Sequence, residues 1–195
     1  MPFQIESEHF DGEVKVIVPQ VFPDHRGWFI EAYRQDSFAA LGISDAFVQH
    51  NQSYSVRGVI RGLHFQWDRP MAKLIRVISG RVFMVAVDIR KGSPTLGQWF
   101  GCEVSAENRR QMYASAGFAR GFCVLSEAAE VHYLCSAFYN PAAEVSVRWD
   151  DPAIGIAWPI TEPILSRKDV EAMTLDMWLA SEGADHLAYE ANKTR

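Results

Sequence analysis

Hydrophobic residues in this chain come in short bursts, and that pattern narrows the fold more than any other feature. "VKVIVPQVF", "GVIRGLHFQ" (58–66), "KLIRVISGRVFMVAVDIR" (73–90), "GQWFGCEVS" (97–105), "RQMYASAGFARGFCVLS" (110–126) and "AEVHYLCSAFY" (129–139) are rich in Val, Ile, Phe and Tyr, and Gly, Pro, Asp or Asn separate them. Branched and aromatic side chains suit a pleated, half-buried surface, so each run reads as a strand. "ISGRVFMVAVDIR" reads as a hairpin turning on Ser79-Gly80, followed by a strand buried on both faces. Strands at this density predict an all-β chain built as an antiparallel sandwich or barrel.

Helical periodicity is sparse. "RQDSFAALG" (34–42) predicts a short helix with Asp36 or Ser37 as cap and Gly42 as stop. A second helix is expected in "SRKDVEAMTLDMWLASEG" (166–183), with Ser166 as cap and Gly183 as terminator. The last residues, "GADHLAYEANKTR", are polar and expected to fray. The chain has 195 residues, enough for one domain of about 1–170 with a helical or polar extension over 171–195.

A net charge of −5 argues against a nucleic-acid partner, though a local basic pocket for a phosphorylated small molecule stays open. No apolar run approaches the ~20 residues of a membrane helix, and the acidic start does not resemble a signal peptide. Cys102, Cys123 and Cys135 form no C-x-x-C pair and read as buried free thiols of a cytoplasmic protein.

His64, in "IRGLHFQ", is the residue whose role the rest of the sequence must decide. A core histidine, a metal ligand and a proton carrier all fit its position. Barrel metal sites favour H-x-H, whereas this pair is H-x-Q with Gln66. The chain also lacks a G-x-S-x-G elbow, a G-x-G-x-x-G fingerprint and a P-loop. Proton transfer is the best chemical option left. In "EVHYLCSAFY", Val131, Tyr133, Cys135 and Ala137 share one strand face, which places the Tyr133 hydroxyl on an apolar, inward side and His132 on the polar one. A buried tyrosine is ordinarily structural; opposite an inward His64 it becomes a candidate acid.

Several stretches, in order over roughly residues 1–170, together resemble the dTDP-4-dehydrorhamnose 3,5-epimerase family. They are "DHRGWFIE" (24–31), "FVQHNQSYSVRGVIRGLHFQ" (47–66), "AKLIRVISGRVFMVAVDIRKGSPTLGQW" (72–99), "VSAENRRQMYASAGFARGF" (104–122), "YLCSAFYNPAAEVSVRWDDPAIGIAWP" (133–159) and "LSRKD" (165–169). The resemblance implies a cupin-like antiparallel β-barrel (jelly roll) with a few short helices. It implies a homodimer whose sites are completed by the neighbouring chain, and a reaction that needs neither cofactor nor metal. The substrate would be a nucleotide-diphosphate 4-keto-6-deoxyhexose, inverted at carbon 3, carbon 5 or both.

By the same resemblance, His64 would be the general base, Asp169 its carboxylate partner, Tyr133 the general acid and Lys73 the cation near the keto oxygen. Arg26, Glu31, Gln49, Asn51, Arg61, Glu144 and Lys168 would contact the nucleotide and diphosphate, with Tyr139 stacking on the base. A ketone at carbon 4 acidifies the hydrogens on carbons 3 and 5, so a base, an acid on the opposite face and an enolate-stabilising charge suffice. The chain departs from the family at "GFARGF", where Arg120 stands in place of a histidine near the sugar. An inward Arg120 would bring a cation to the substrate; otherwise it would turn aside into an ion pair. A 3,4-ketoisomerase and a catalytically silent nucleotide-sugar-binding barrel are the alternatives. The first calls for a second histidine near the base, and the second has no need of an acid facing a base.

Overall fold

The run from 73 to 90 breaks at Gly80 into two strands that do not pair with each other. The structure, a computed structural model, describes residues 2–190. Among them are β1 (Phe3–His9), β2 (Val14–Pro19), β3 (Phe22–Asp24), β4 (Gly27–Phe29), α1 (Gln35–Ala40), β5 (Gln49–Val56), β6 (Ile60–Gln66), β7 (Lys73–Ser79) and β8 (Arg81–Asp88). These are followed by β9 (Trp99–Ser105), β10 (Gln111–Ala114), β11 (Phe118–Val124), β12 (Ala128–Cys135), β13 (Glu144–Ser146), α2 (Arg167–Val170) and α3 (Leu175–Leu179), then a 3-10 helix, Glu182–Leu187. One sheet has the order β1-β2-β10-β7-β12-β5 and the other β13-β6-β11-β8-β9, while β3 and β4 form a two-stranded ribbon of their own.

Strand β7 lies between β10 and β12, and β8 lies between β11 and β9. The expected hairpin at Ser79-Gly80 is therefore a corner that carries the chain from one sheet to the other. Gly80 sits at φ +78, and a Cβ there would fall 2.1 Å from the Ala128 carbonyl oxygen. Only glycine allows the backbone to turn this tightly against β12.

The two sheets face each other over a shared core. Val14, Ile75, Val77, Met112 and Val131 from the first meet Val82, Met84, Val104, Phe118 and Phe122 from the second. Alternation along each strand does this sorting, as period 2 requires. The outer face of the second sheet carries Leu63, Phe65, Val85 and Val87, which lie under Leu175, Trp178 and Leu187. The outer face of the first carries Leu74, Tyr113 and Leu134, against Phe3, Phe38 and Ile43. Strand β11 is buried at every residue because apolar layers cover both of its faces. The result is the cupin-like jelly roll that the family resemblance implies, within the antiparallel sandwich or barrel class that the strand pattern predicts.

The helices differ from expectation in instructive ways. Helix α1 is capped by Arg34 in extended backbone with no side-chain cap bond; Asp36 instead lies inside the first turn, accepting from the Ser37 N–H at 2.6 Å and from Arg34 Nε at 2.6 Å. Gly42, at φ +79, follows the helix end as expected. The single helix expected over 166–183 is two. Ser166 caps α2, as predicted, but residues 171–174 then straighten so that Met173 can bridge Val147, and Thr174 caps α3 by accepting from Met177 N at 3.2 Å. Gly183 lies within the 3-10 helix rather than ending a helix, and Ala184 and Leu187 are buried, so this stretch packs where fraying was expected. Residues 191–195 of that tail lie outside the described residues.

Trp178 anchors this layer: it is 1% exposed, meets Phe65 edge-on at 4.7 Å and donates its indole N–H to the Ile89 carbonyl at 3.0 Å. Trp178→Ala removes a large buried ring and leaves a carbonyl unpaired. It is expected to cost about 3–5 kcal/mol of unfolding free energy, measured by urea denaturation of the full chain.

Candidate active site

Strand period and register decide which polar side chains enter the space between the sheets. On β6, His64 and Gln66 alternate with the outward Leu63 and Phe65. On β12, Tyr133 and Cys135 follow Val131 inward, and the β5 residues opposite them are Asn51 and Gln49. Lys73 lies opposite Cys135 on β7, and Glu144 and Ser146 lie opposite Gln66 and His64 on β13. Imidazole and phenol thus stand on different sheets, each on the face turned toward the space between them.

Asp169 reaches His64 from α2, 105 residues further along the chain, and it is 2% exposed. Its Oδ1 lies 2.6 Å from His64 Nε2, Ser166 Oγ donates to Oδ2 at 2.7 Å, and the Gly62 N–H also points at the carboxylate. Burial alone would raise the carboxyl's pKa; the bonds from His64 and Ser166 outweigh it and hold the group below its ordinary 3.8. An ionised carboxylate only accepts, so Nε2 carries a proton, and in the neutral ring the lone pair is on Nδ1. Nδ1 has no partner among the described residues, and it is the atom available to take a proton from a ligand. Gly62 makes this approach of strands possible: a Cβ there would come within 2.5 Å of Gly121 Cα.

Across the cavity, the Lys73 ammonium lies 5.4 Å from the centre of the Tyr133 ring. Burial raises the Tyr133 pKa, which keeps the phenol protonated. Burial first, and then the charge of Arg120, push Lys73 down to about 8. Asn51 Nδ2 donates to Cys135 Sγ at 3.7 Å and Gln49 Nε2 to Asn51 Oδ1 at 3.0 Å, so the β5 amides line this wall as a linked pair.

Glu144 is held between Tyr139, whose hydroxyl donates at 2.6 Å, and the ammonium of Lys168 at 2.5 Å. Burial works against its ionisation, and these two partners win, keeping it below the ordinary glutamate value. Arg61 Nε donates to Ser55 Oγ at 2.9 Å near the open end. Arg120 points inward, and instead of forming an ion pair it gives Nη2 to the carbonyls of Met71, Ala114 and Ser115.

Two expected residues lie apart from this group. Arg26 binds Asp24 within the β3–β4 ribbon, and Glu31 binds Arg34. Neither has a hydrogen bond or ion pair to the His64 group among the described residues. A cavity of about 700 Å³ lined by Glu13, Asp45, Arg90 and Tyr189 includes none of His64, Lys73, Tyr133 and Asp169. Sequence reasoning missed the second duty of Ser166, which both caps α2 and orients the Asp169 carboxylate. The S-x-x-D spacing of a helix start was the available signal.

Comparison with known proteins shows which family the chain belongs to. The model of the dTDP-4-dehydrorhamnose 3,5-epimerase family matches residues 11–177. The chain belongs to that family. Its class is therefore that of the isomerases, and an epimerase within it. A dTDP-4-dehydrorhamnose 3,5-epimerase of Salmonella typhimurium is 50% identical over 173 residues, covering 87% of this chain and 94% of its own. One from Neisseria gonorrhoeae is 50% identical over 171 residues, 87% of this chain, which spans 51% of that longer relative. The crystal structure of a dTDP-6-deoxy-D-glucose-3,5-epimerase from Legionella pneumophila, in complex with dTDP-4-keto-L-rhamnose, superposes with a TM-score of 0.90 at 44% identity, covering 97% of this chain and 100% of that one. None of the helices among the described residues is long and apolar enough to cross a membrane.

Folding favours the ionised Asp169, so its contribution is complete above its ordinary 3.8 and disappears as pH falls through its lower folded value. Asp169→Asn removes that term. Urea unfolding across a series of acidic pH values is expected to show a shallower loss of stability below 3.8 in the variant than in the parent chain.

Proposed function

We propose that the chain epimerises a dTDP-4-keto-6-deoxyhexose at carbons 3 and 5, through an enolate and without a cofactor. The observation that carries this reading is the placement of His64 and Tyr133 on facing sheets with Lys73 beside the phenol. With the carbonyl carbon between them, His64 Nδ1 takes the hydrogen from the adjacent carbon. The electron pair moves onto the carbonyl oxygen, where the Lys73 ammonium meets the developing charge. Tyr133 then gives its proton to that carbon from the opposite side, inverting it, and recovers one from solvent, to which the imidazolium of His64 releases the proton it took. Asp169 holds the imidazole in the tautomer this needs and stabilises it once protonated. A phenol held in its protonated form by burial is suited to donate, and a buried ammonium acts far more strongly than one in water.

Asn51, Gln49, Arg61, Glu144, Lys168 and Tyr139 ring the opening between the sheets and are suited to hold the nucleotide and diphosphate. Arg26 and Glu31 enter this scheme in a homodimer. The ribbon that carries them exposes Phe22, Trp28 and Phe29, at 46%, 54% and 66%. Three exposed aromatics on a two-stranded ribbon suit a partner's surface better than water. We infer that each ribbon reaches the site of the second copy, where Arg26 and Glu31 complete it. The three cysteines are free, in keeping with a cytoplasmic enzyme.

Incubation with dTDP-4-keto-6-deoxyglucose in deuterated water, followed by mass spectrometry, tests the reaction. Two deuterons are expected; one means a single-carbon epimerase, and none returns the silent binder. Tyr133→Phe is expected to lower turnover by about 10²–10⁴. Shared sites are tested by mixing His64→Ala with Arg26→Ala. Each variant alone is expected to be impaired, and activity should recover in the mixture, because a mixed dimer holds one intact site; no recovery would mean that the sites are not shared.

A further inference from the structure

Arg120 is 5% exposed, yet no ion pair compensates its charge among the described residues. A buried guanidinium without a carboxylate is expensive to keep, so its surroundings should show what keeps it. Its Nη2 donates to the carbonyls of Met71 at 2.8 Å, Ala114 at 2.9 Å and Ser115 at 2.5 Å, while Nε is buried without a partner. The backbone of Arg120 belongs to the base's sheet, since it stands opposite His64 in the β11–β6 ladder. The carbonyls belong to the other wall. Ala114 pairs with Lys73 across β10 and β7, and Met71 precedes Lys73 by two residues. One side chain therefore runs from the level of the base to the backbone beneath the ammonium.

We propose that Arg120 is a positioning residue, a strut across the barrel that sets the separation of the His64 wall from the Lys73–Tyr133 wall and fixes a positive charge beneath Lys73. The inference rests on the epimerase reading for its catalytic consequence, though not for its geometry. Reach is what the guanidinium supplies: Nη2 alone meets carbonyls from two chain segments, Met71 and Ala114–Ser115, which the shorter lysine stem would not reach from the same backbone position. The charge of Arg120, whose pKa burial brings down from an ordinary 12.5 to about 10, repels that of Lys73 and, with Lys168, adds to the effect of burial, while Cys135 and Glu144 act the other way, so that Lys73 stands at about 8. An ammonium with that value can strengthen its bond to a forming enolate oxygen, or pass it a proton, far more readily than an ordinary lysine at 10.5.

The test uses Arg120→Gln and Arg120→Lys in the full chain with two readouts. The first is the pH dependence of Lys73 acetylation, followed by mass spectrometry without substrate. The second is kcat and KM with dTDP-4-keto-6-deoxyglucose. In Arg120→Gln the Lys73 titration is expected to move up from about 8 while staying below 10.5, because burial, the larger cause, remains. Arg120→Lys is expected to leave that titration near the parent's, yet to lower kcat by about 10²-fold with KM little changed, as a small misplacement of the walls would. An unmoved Lys73 titration in Arg120→Gln overturns the electrostatic role, and parental kcat in Arg120→Lys overturns the strut. Should Arg120→Gln fail to fold, the kcat of Arg120→Lys decides alone. If the parent chain shows no epimerisation while the Lys73 titration moves as described, the functional reading fails and the charge coupling stands.

Discussion

The bond between His64 and Asp169 is the contact on which the rest of this architecture depends. It joins a β6 residue to one on a four-residue helix that could not persist alone in water. Asp169 is nearly inaccessible, and a carboxylate in that position must find donors or lose its charge. His64, Ser166 and the Gly62 N–H are those donors, so pulling α2 away would strand a buried charge. The same bond chooses the imidazole tautomer. Stability and chemistry therefore draw on one pair of groups, and the short segment that supplies the carboxylate is held by the histidine it orients.

From that bond the barrel's layers follow in sequence. His64 can face the cavity only because Leu63 and Phe65 face the other way, under Trp178 and its neighbours. Residues 171–187 thus belong to the cover that fixes the register of the strand of His64, although none of them belongs to the His64 group itself. On the opposite wall, Val131 and Ile75 hold β12 and β7 by the core while Tyr133 and Lys73 take the open end. Core and site are the two ends of the same strands.

Much of this was legible in the residues themselves. The alternation in "EVHYLC" placed Tyr133 inward and His132 on the other face, because a strand's period leaves no freedom once one side is apolar. Ser166 announced its cap by chemistry that does not depend on tertiary context. The corner at Gly80 was not readable: a tight glycine turn looks the same whether its strands pair with each other or part into different sheets. The break at 171–174 was hidden for a similar reason. Its local propensity allows helix, and the competing bridge from Met173 to Val147 exists only when the sheet is present. Arg26 and Glu31 matched a motif but lie in the turn of the β3–β4 ribbon and just after it, apart from the rest of the group, since the order of letters in a motif does not say where the folded chain carries them.

Arg120 shows where motif reading and physical reading part. As a letter in "GFARGF" it offered two outcomes, a cation pointing at substrate or an ion pair turned aside, and the molecule takes neither in full. The side chain points inward, but its Nη2 is occupied by backbone carbonyls from across the barrel. Carbonyls stabilise the charge without neutralising it, so the field persists into the cavity where a carboxylate would have quenched it. Glu144 is the carboxylate whose charge acts on Lys73 and Asp45 the one that acts on Arg120, yet neither forms an ion pair with its cation among the described residues, so the pocket suits a ligand in which negative charge appears during the reaction. Under the proposed reaction an enolate oxygen forming next to Lys73 would be such a charge, and the two cations would favour the transition state over the neutral ketone, which is the differential that a catalyst needs.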